Sequence, residues 1–260
     1  MTETITKEKA LSVIEQYVEQ KKSKKETFNL FEIIQMRETS HTKFLAWLLN
    51  VKNKSKNSLQ FQFMKKFLKK INIETENLDD FVKLLSEDMF IKTEYPTGSG
   101  NIDIFIYSKK ANFVCIIENK IDAKICVGKN GKSQIERYYN FVNSKAEFES
   151  CKQVFVFITG YSEILRKSDL ELLNNYQYQI IEQSDIAEII DDETISSCTN
   201  NIVKEIVKQY KDYWEHNWYD TIDGIWIGKA CNIVRNEYSN SDLQNFSSEI
   251  RDVLSEMLDQ

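Results

Sequence analysis

The chain has a single proline and only seven glycines in 260 residues. It therefore has no proline- or glycine-rich stretch to serve as a linker, no low-complexity segment, and no repeat to mark a domain boundary. One domain over 1–260 is expected, with an αβ core at 28–190 and a helical C-terminal extension at 191–260. Cysteine is sparse and scattered. Cys115, Cys126, Cys151, Cys198 and Cys231 are odd in number and form no C-x-x-C pair, which excludes a disulfide framework and a zinc ribbon. They read as reduced thiols, with Cys115 a small core residue in an apolar run. No hydrophobic run approaches the ~20 residues that cross a bilayer, so no membrane role is expected. The start, Met1-Thr2-Glu3-Thr4, lacks the basic and apolar segments of a secretion signal, and a cytoplasmic protein is the expectation.

Positive charge is also in deficit, with a net charge of −6, which on its face argues against a polyanionic partner. The average hides a split. Residues 1–150 carry 25 of the 34 basic residues and 20 of the 40 acidic ones, a surplus of five, so the remainder has a deficit of eleven. Between Lys21 and Lys70, thirteen basic residues face only Glu26, Glu32 and Glu38. A nucleic acid backbone would be attracted there, with affinity falling as salt rises. Each run taken singly, such as Lys21-Lys22-Ser23-Lys24-Lys25, also reads as a solvated helix end.

The first 90 residues read as helices. Leu11, Ile14, Tyr17 and Val18 make one apolar stripe over 7–20, and Phe28, Phe31 and Ile34 suggest a second helix after Lys25. A third begins near Thr39 or Ser40, either of which could cap it, and buries Phe44, Leu45, Leu48 and Leu49. A fourth, from Leu59 to Ile71, is apolar at Phe63, Phe67 and Leu68, with Lys65, Lys66, Lys69 and Lys70 outside. Strands are expected at Met89–Tyr95, Asn101–Tyr107, Asn112–Glu118, Val154–Thr159 and Tyr178–Ile181, and a helix from Lys132 to about Ser144. This order gives an α/β fold with a mixed sheet flanked by helices. The tail is helical at 200–213 and 241–258. Between these helices, Trp214, Trp218, Tyr219 and Trp226 form an aromatic segment that reads as packing more than as a platform for bases.

Phosphodiester hydrolysis with a hard cation needs carboxylates a few ångströms apart and a positive group beside them. If Lys109–Asn112 forms the loop of a hairpin, Ser108 faces Phe113 and Asp103 falls opposite Glu118. Opposed residues share a face, with Cβ atoms roughly 4.5–5.5 Å apart. The two-residue period places Lys120 on that face too, and turns Ile117 and Asn119 the other way. Asp103 and Glu118 interrupt otherwise apolar strands, which is costly unless the charges are paired or bind metal. The competing reading is a sheet-edge trio with Lys120 as a surface salt bridge.

Ile102-Asp103-Ile104 followed by Ile116-Ile117-Glu118-Asn119-Lys120 resembles the D…(D/E)-x-K signature of the PD-(D/E)XK nuclease superfamily. Gln134-Ile135-Glu136-Arg137-Tyr138 is similar to its Q-x-x-x-Y helix. The segment Arg37-Glu38-Thr39-Ser40-His41 through Ala46-Trp47-Leu48-Leu49 is similar to the E-x-x-H-S…L-A-W-L-L segment of one bacterial branch. The resemblance implies a restriction-endonuclease-like core with helical N- and C-terminal additions. It also implies a Mg²⁺- or Mn²⁺-dependent endonuclease acting on nucleic acid, DNA before RNA. Asp103, Glu118 and Glu38 become metal ligands, Lys120 orients the attacking water or stabilises the pentavalent phosphate, and Gln134 is a polar contact near them. His41, Lys43, Lys124 and Arg137 become candidate nucleic-acid contacts, His41 with a packing role as its alternative. The family's usual proline before the aspartate is Ile102 here, and the basic residue often found there is Asn101.

A homodimer, a regulatory protein partner and a role in defence against foreign DNA go with the same resemblance. Glu94 could approach the site, or simply face solvent, and His216 reads as structural. The alternative function is a non-cleaving nucleic-acid-binding or protein-interaction module on a nuclease-like fold.

Overall fold

The computed structural model describes Phe31 and residues 38–121, 125, 127, 131–160 and 165–214, all within the unit Asn29–Glu215. The helices expected at 7–20 and 241–258, Lys124, His216 and the aromatic segment beyond Trp214 lie outside the described residues, as does all but Phe31 of the second helix.

Helix α1 (Glu38–Leu49) buries Leu45, Leu48 and Leu49, the stripe that their spacing predicts. It starts earlier than expected. Thr42 Oγ1 donates to the Glu38 carbonyl at 2.9 Å, so Glu38 is already in the first turn and neither Thr39 nor Ser40 is the cap. Helix α2 (Leu59–Lys70) is capped by Ser58, whose side chain accepts from Phe61 N, and it buries Phe63, Phe67 and Leu68. Helix α3 (Leu78–Asp88) follows, a fifth helix within the ninety residues that read as helical, beyond the four whose ranges the apolar stripes delimit. Asn77 caps it by accepting from the amides of Asp79 and Asp80, and those two carboxylates suit the positive end of the helix dipole.

Five strands form one sheet in the order β1-β2-β3-β4-β5: β1 (Phe90–Pro96), β2 (Asn101–Ser108), β3 (Phe113–Lys120), β4 (Lys152–Thr159) and β5 (Tyr178–Glu182). The first three are antiparallel, and β4 and β5 run parallel to β3. The β2–β3 register is the expected one, with Ser108 opposite Phe113 and Ile104 opposite Ile117. Asn112 closes the hairpin with φ of 46°. Helix α4 (Gln134–Asn143) lies between β3 and β4, and α5 (Lys167–Asn175) between β4 and β5. After β5 come α6 (Gln183–Ile189), α7 (Asp192–Ser196) and α8 (201–214).

The pleat divides the core in two. Ile104, Ile106, Cys115, Ile117, Val156 and Ile158 pack with α1, α2 and α3 on one face. Phe105, Val114, Ile116, Phe155 and Phe157 meet Ile135, Tyr138 and Val142 of α4, together with Leu173 of α5, on the other. Each of these side chains contributes on the order of 1.5–3 kcal/mol by leaving water. A mixed sheet with helices on both faces is the restriction-endonuclease-like α/β architecture.

The lysines of α2 are largely matched within the fold. Lys66 lies 2.6 Å from Asp191 and 2.8 Å from Glu193, Lys70 lies 2.6 Å from Asp185, and Lys65 lies 2.6 Å from Asp79. The acidic residues after β5 thus answer the basic helix that precedes the sheet, and part of the charge split along the sequence is an internal complement. Among the described residues, no helix is long and apolar enough to cross a membrane.

Candidate active site

Strand β3 is the middle strand of the sheet, paired on both sides, so Asp103 and Glu118 are not an edge-of-sheet pair. Glu118 is 1% exposed and Asp103 9% exposed, and the Lys120 side chain retains only 12% of its surface. A solvated surface trio does not look like this.

Three elements converge where β3 ends. Continuing the β2–β3 register past Ile104 and Ile117 sets Asp103 against Glu118. The Asn119 amide donates to Asp103 Oδ2 at 2.8 Å. From the first residue of α4, after the Ser133 cap, Gln134 Nε2 donates to Glu118 Oε1. From the first turn of α1, Glu38 Oε1 lies 2.9 Å from Lys120 Nζ, while its Oε2 accepts from the Ile121 amide at 3.4 Å. The Lys120 ammonium is also 2.9 Å from Glu118 Oε1 and 3.8 Å from Asp103 Oδ2. One cation therefore stands among three carboxylates. The opening after a β-strand's carboxyl end, between helices from opposite faces, is where α/β sheets commonly bind ligands.

The electrostatics are those of an incomplete charge balance. Burial and then the Asp103 charge push the Glu118 carboxyl well above its ordinary value. Burial likewise raises Asp103, against the opposing pull of Lys120 and the Asn119 amide. Burial alone would lower Lys120, but the charges of Glu118 and Asp103 and the hydrogen bonds to Glu38 and Glu118 outweigh it, so its pKa is raised and it stays an ammonium. Two carboxylates ~5 Å apart at an effective dielectric of ~20 repel by about 3 kcal/mol. Glu118 Oε2 is buried with no hydrogen-bond partner among the described residues. A buried carboxylate oxygen left this way is costly unless a proton or a cation meets it, and a set of hard oxygen donors is the kind that suits a divalent cation.

The structure therefore brings Asp103, Glu118, Lys120, Glu38 and Gln134 together. Glu38 turns both oxygens onto protein donors, one on Lys120 and one on Ile121, a geometry that fits aiming the lysine better than binding a third face of a metal. His41 is 2% exposed, with its ring centroid 4.5 Å from that of Trp214 and stacked on Tyr213. An imidazole enclosed by α8 in this way fits the packing alternative, not a phosphate contact, and Trp214 in turn is core. Lys43 is exposed on α1. Arg137 lies on α4 one turn beyond the cap, its guanidinium donating to the Lys132 carbonyl at 2.7 Å. Glu94 is exposed at φ of 50°, outside the ladder pairs of β1 and β2.

Two residues to which the sequence assigns no role also bear on the site. Tyr138, one helical turn after Gln134, donates its hydroxyl to the Asn101 carbonyl at 2.5 Å and ties α4 to the start of β2. Its place in the Q-x-x-x-Y segment was the available signal. Asn119 was expected to point away from the carboxylates, and it does so, into a buried polar chain with Thr42 and Gln183. Nothing in the local pattern marks such a chain, because its members are 77 and 64 residues apart.

No curated protein and no solved structure matches the chain. A family model does match, over residues 28–242, a span that takes in α1, the sheet and α4. With that span and the carboxylate–lysine centre at the end of β3, the chain belongs to the PD-(D/E)XK nuclease superfamily.

Proposed function

We propose that the protein is an endonuclease that hydrolyses phosphodiester bonds of DNA with Mg²⁺ or Mn²⁺. The observation carrying this reading is the buried pair of carboxyls, Glu118 against Asp103, in which Glu118 Oε2 meets no N–H donor. Asp103 and Glu118 would hold the cation, which when bound polarises the phosphate and lowers the pKa of its water. Among the described residues, no three His, Cys, Asp or Glu side chains form a ready-made cage, and the nearby Glu38 is engaged by Lys120.

Lys120 has a narrower role than its position alone suggests. Held among Glu38, Glu118 and Asp103, the Lys120 ammonium acts as a donor. It orients the attacking oxygen or stabilises charge growing on the phosphate. Gln134 fixes one oxygen of Glu118 so that the other keeps its direction. Lys43, Lys124 and Arg137 are the basic groups we assign to the nucleic acid backbone. We further propose a cytoplasmic enzyme of defence against foreign DNA, acting as a homodimer to cut both strands and open to control by a protein partner.

The test is cleavage of supercoiled plasmid, single-stranded DNA and RNA of equal length in Mg²⁺, Mn²⁺ or EDTA. Nicking and linearisation of plasmid in either metal, with none in EDTA, is the expected result. Cutting of RNA alone would overturn the substrate, and binding without cutting under every metal would favour a non-cleaving module.

A further inference from the structure

Asn119 stands between Glu118 and Lys120 but faces the aliphatic layer covered by α1, where an amide is costly unless both ends are paired. Both ends are paired. Asn119 is 1% exposed, its Nδ2 donates to Thr42 Oγ1 at 3.1 Å, and its Oδ1 accepts from Gln183 Nε2 at 3.0 Å. The Thr42 hydroxyl donates onward to the Glu38 carbonyl at 2.9 Å. The directions agree: the one hydroxyl proton goes to Glu38, so Thr42 accepts from the amide of Asn119, whose oxygen is left for Gln183. Three hydrogen bonds thus run from α6 through β3 to the first turn of α1.

That turn carries the carboxylate that meets Lys120 and the Ile121 amide. Leucines alone do not fix where a helix sits along a sheet, since apolar contact is non-directional and survives a small slide. A satisfied buried polar chain does specify position. We infer that Thr42, Asn119 and Gln183 are positioning residues that seat the Glu38 carboxylate on the Lys120 ammonium and so set the lysine's direction in the site. The inference rests on reading Asp103, Glu118 and Lys120 as the nuclease centre.

The test uses the full-length chain with Thr42→Val, which keeps the side-chain shape and removes the hydroxyl, and Thr42→Ser, which keeps the hydroxyl. Thr42→Val should lower kcat about tenfold, the effect of one lost buried hydrogen bond, with KM for DNA and calorimetric Mg²⁺ affinity unchanged. Thr42→Ser should restore most of kcat, and Thr42→Val should add nothing in a Glu38→Gln background. Hydrogen exchange at the Ile121 amide should quicken in Thr42→Val while amides of α2 keep their protection. Equal loss in Thr42→Ser, or additive losses with Glu38→Gln, would overturn the inference in favour of plain packing. If the wild-type chain cuts nothing, the nuclease reading fails by itself, and Ile121 exchange still decides the positioning: unchanged protection overturns it and lost protection supports it.

Discussion

Lys120 Nζ lies 2.9 Å from Glu38 Oε1, although the two residues are 82 positions apart and come from a strand and from a helix packed on that strand's opposite face. The contact forms because Glu38 sits in the first turn of α1, at the level where β3 ends, and reaches around the strand's end. It makes Lys120 the hub of the site, shared by Glu38, Glu118 and, at 3.8 Å, Asp103.

Removing that hub should be harmful twice over. Lys120→Ala leaves three carboxylates facing one another, and breaking a partly buried pair costs roughly 3–5 kcal/mol before relaxation. Cleavage should be lost while calorimetry still detects Mg²⁺, and Mg²⁺ should raise the melting temperature more in this variant than in the wild type. A variant unable to bind Mg²⁺ would contradict the role assigned to the lysine.

Neutralising a carboxylate should do the opposite to stability. Asp103→Asn removes about 3 kcal/mol of repulsion at most, so the metal-free protein should melt at the same temperature or higher while cleavage falls by at least about a thousandfold. Thermal melts in EDTA check the first part. A marked fall in melting temperature would mean that Asp103 serves mainly as a structural acceptor for the Asn119 amide.

Acid dependence follows from the direction of the shifts. The folded-state values of Asp103 and Glu118 lie above their ordinary 3.8 and 4.5, so folding favours their protonated forms. Their contribution to stability is present below the ordinary values and is lost as pH rises through the raised ones. Without metal, this pair should therefore destabilise the fold progressively as pH rises above about 4.5. A divalent cation competes with those protons, so the gain in melting temperature from Mg²⁺ should grow between pH 5 and about 8. A gain independent of pH would argue for a site elsewhere.

Gly160 closes β4 against the segment that receives Glu38. A Cβ there would stand 2.8 Å from the Ile121 carbonyl oxygen, a backbone atom that cannot rotate away. Gly160→Ala should displace Ile121, weaken the amide contact to Glu38 Oε2, and lower both the melting temperature and cleavage. Its stability loss should be about 1–3 kcal/mol, the usual range for overpacking, read from denaturant unfolding. An unchanged midpoint would show that the loop gives way freely.

Much of this was legible from local pattern. The apolar stripes of α1 and α2, and the Ser108–Phe113 closure of the hairpin, are short-range properties, and parity then put Asp103, Glu118 and Lys120 on one face. Helix α3 falls within the ninety residues that read as helical but has no stripe of its own there, although Asn77 and the acidic first turn mark its start. The pairing of α2 lysines with Asp185, Asp191 and Glu193 could not be read at all, because residues more than a hundred positions apart share no local signal. The same holds for the enclosure of His41 by α8 and for the Thr42–Asn119–Gln183 chain.

The most direct measurement is single-turnover cleavage of plasmid in Mg²⁺ by the wild-type chain and by Glu118→Gln, purified side by side, with calorimetric Mg²⁺ binding recorded for both. The account predicts cutting by the wild type, none by Glu118→Gln, and Mg²⁺ affinity lost in the variant while its fold persists. Equal cutting by both proteins, or unaltered Mg²⁺ affinity in Glu118→Gln, would contradict it.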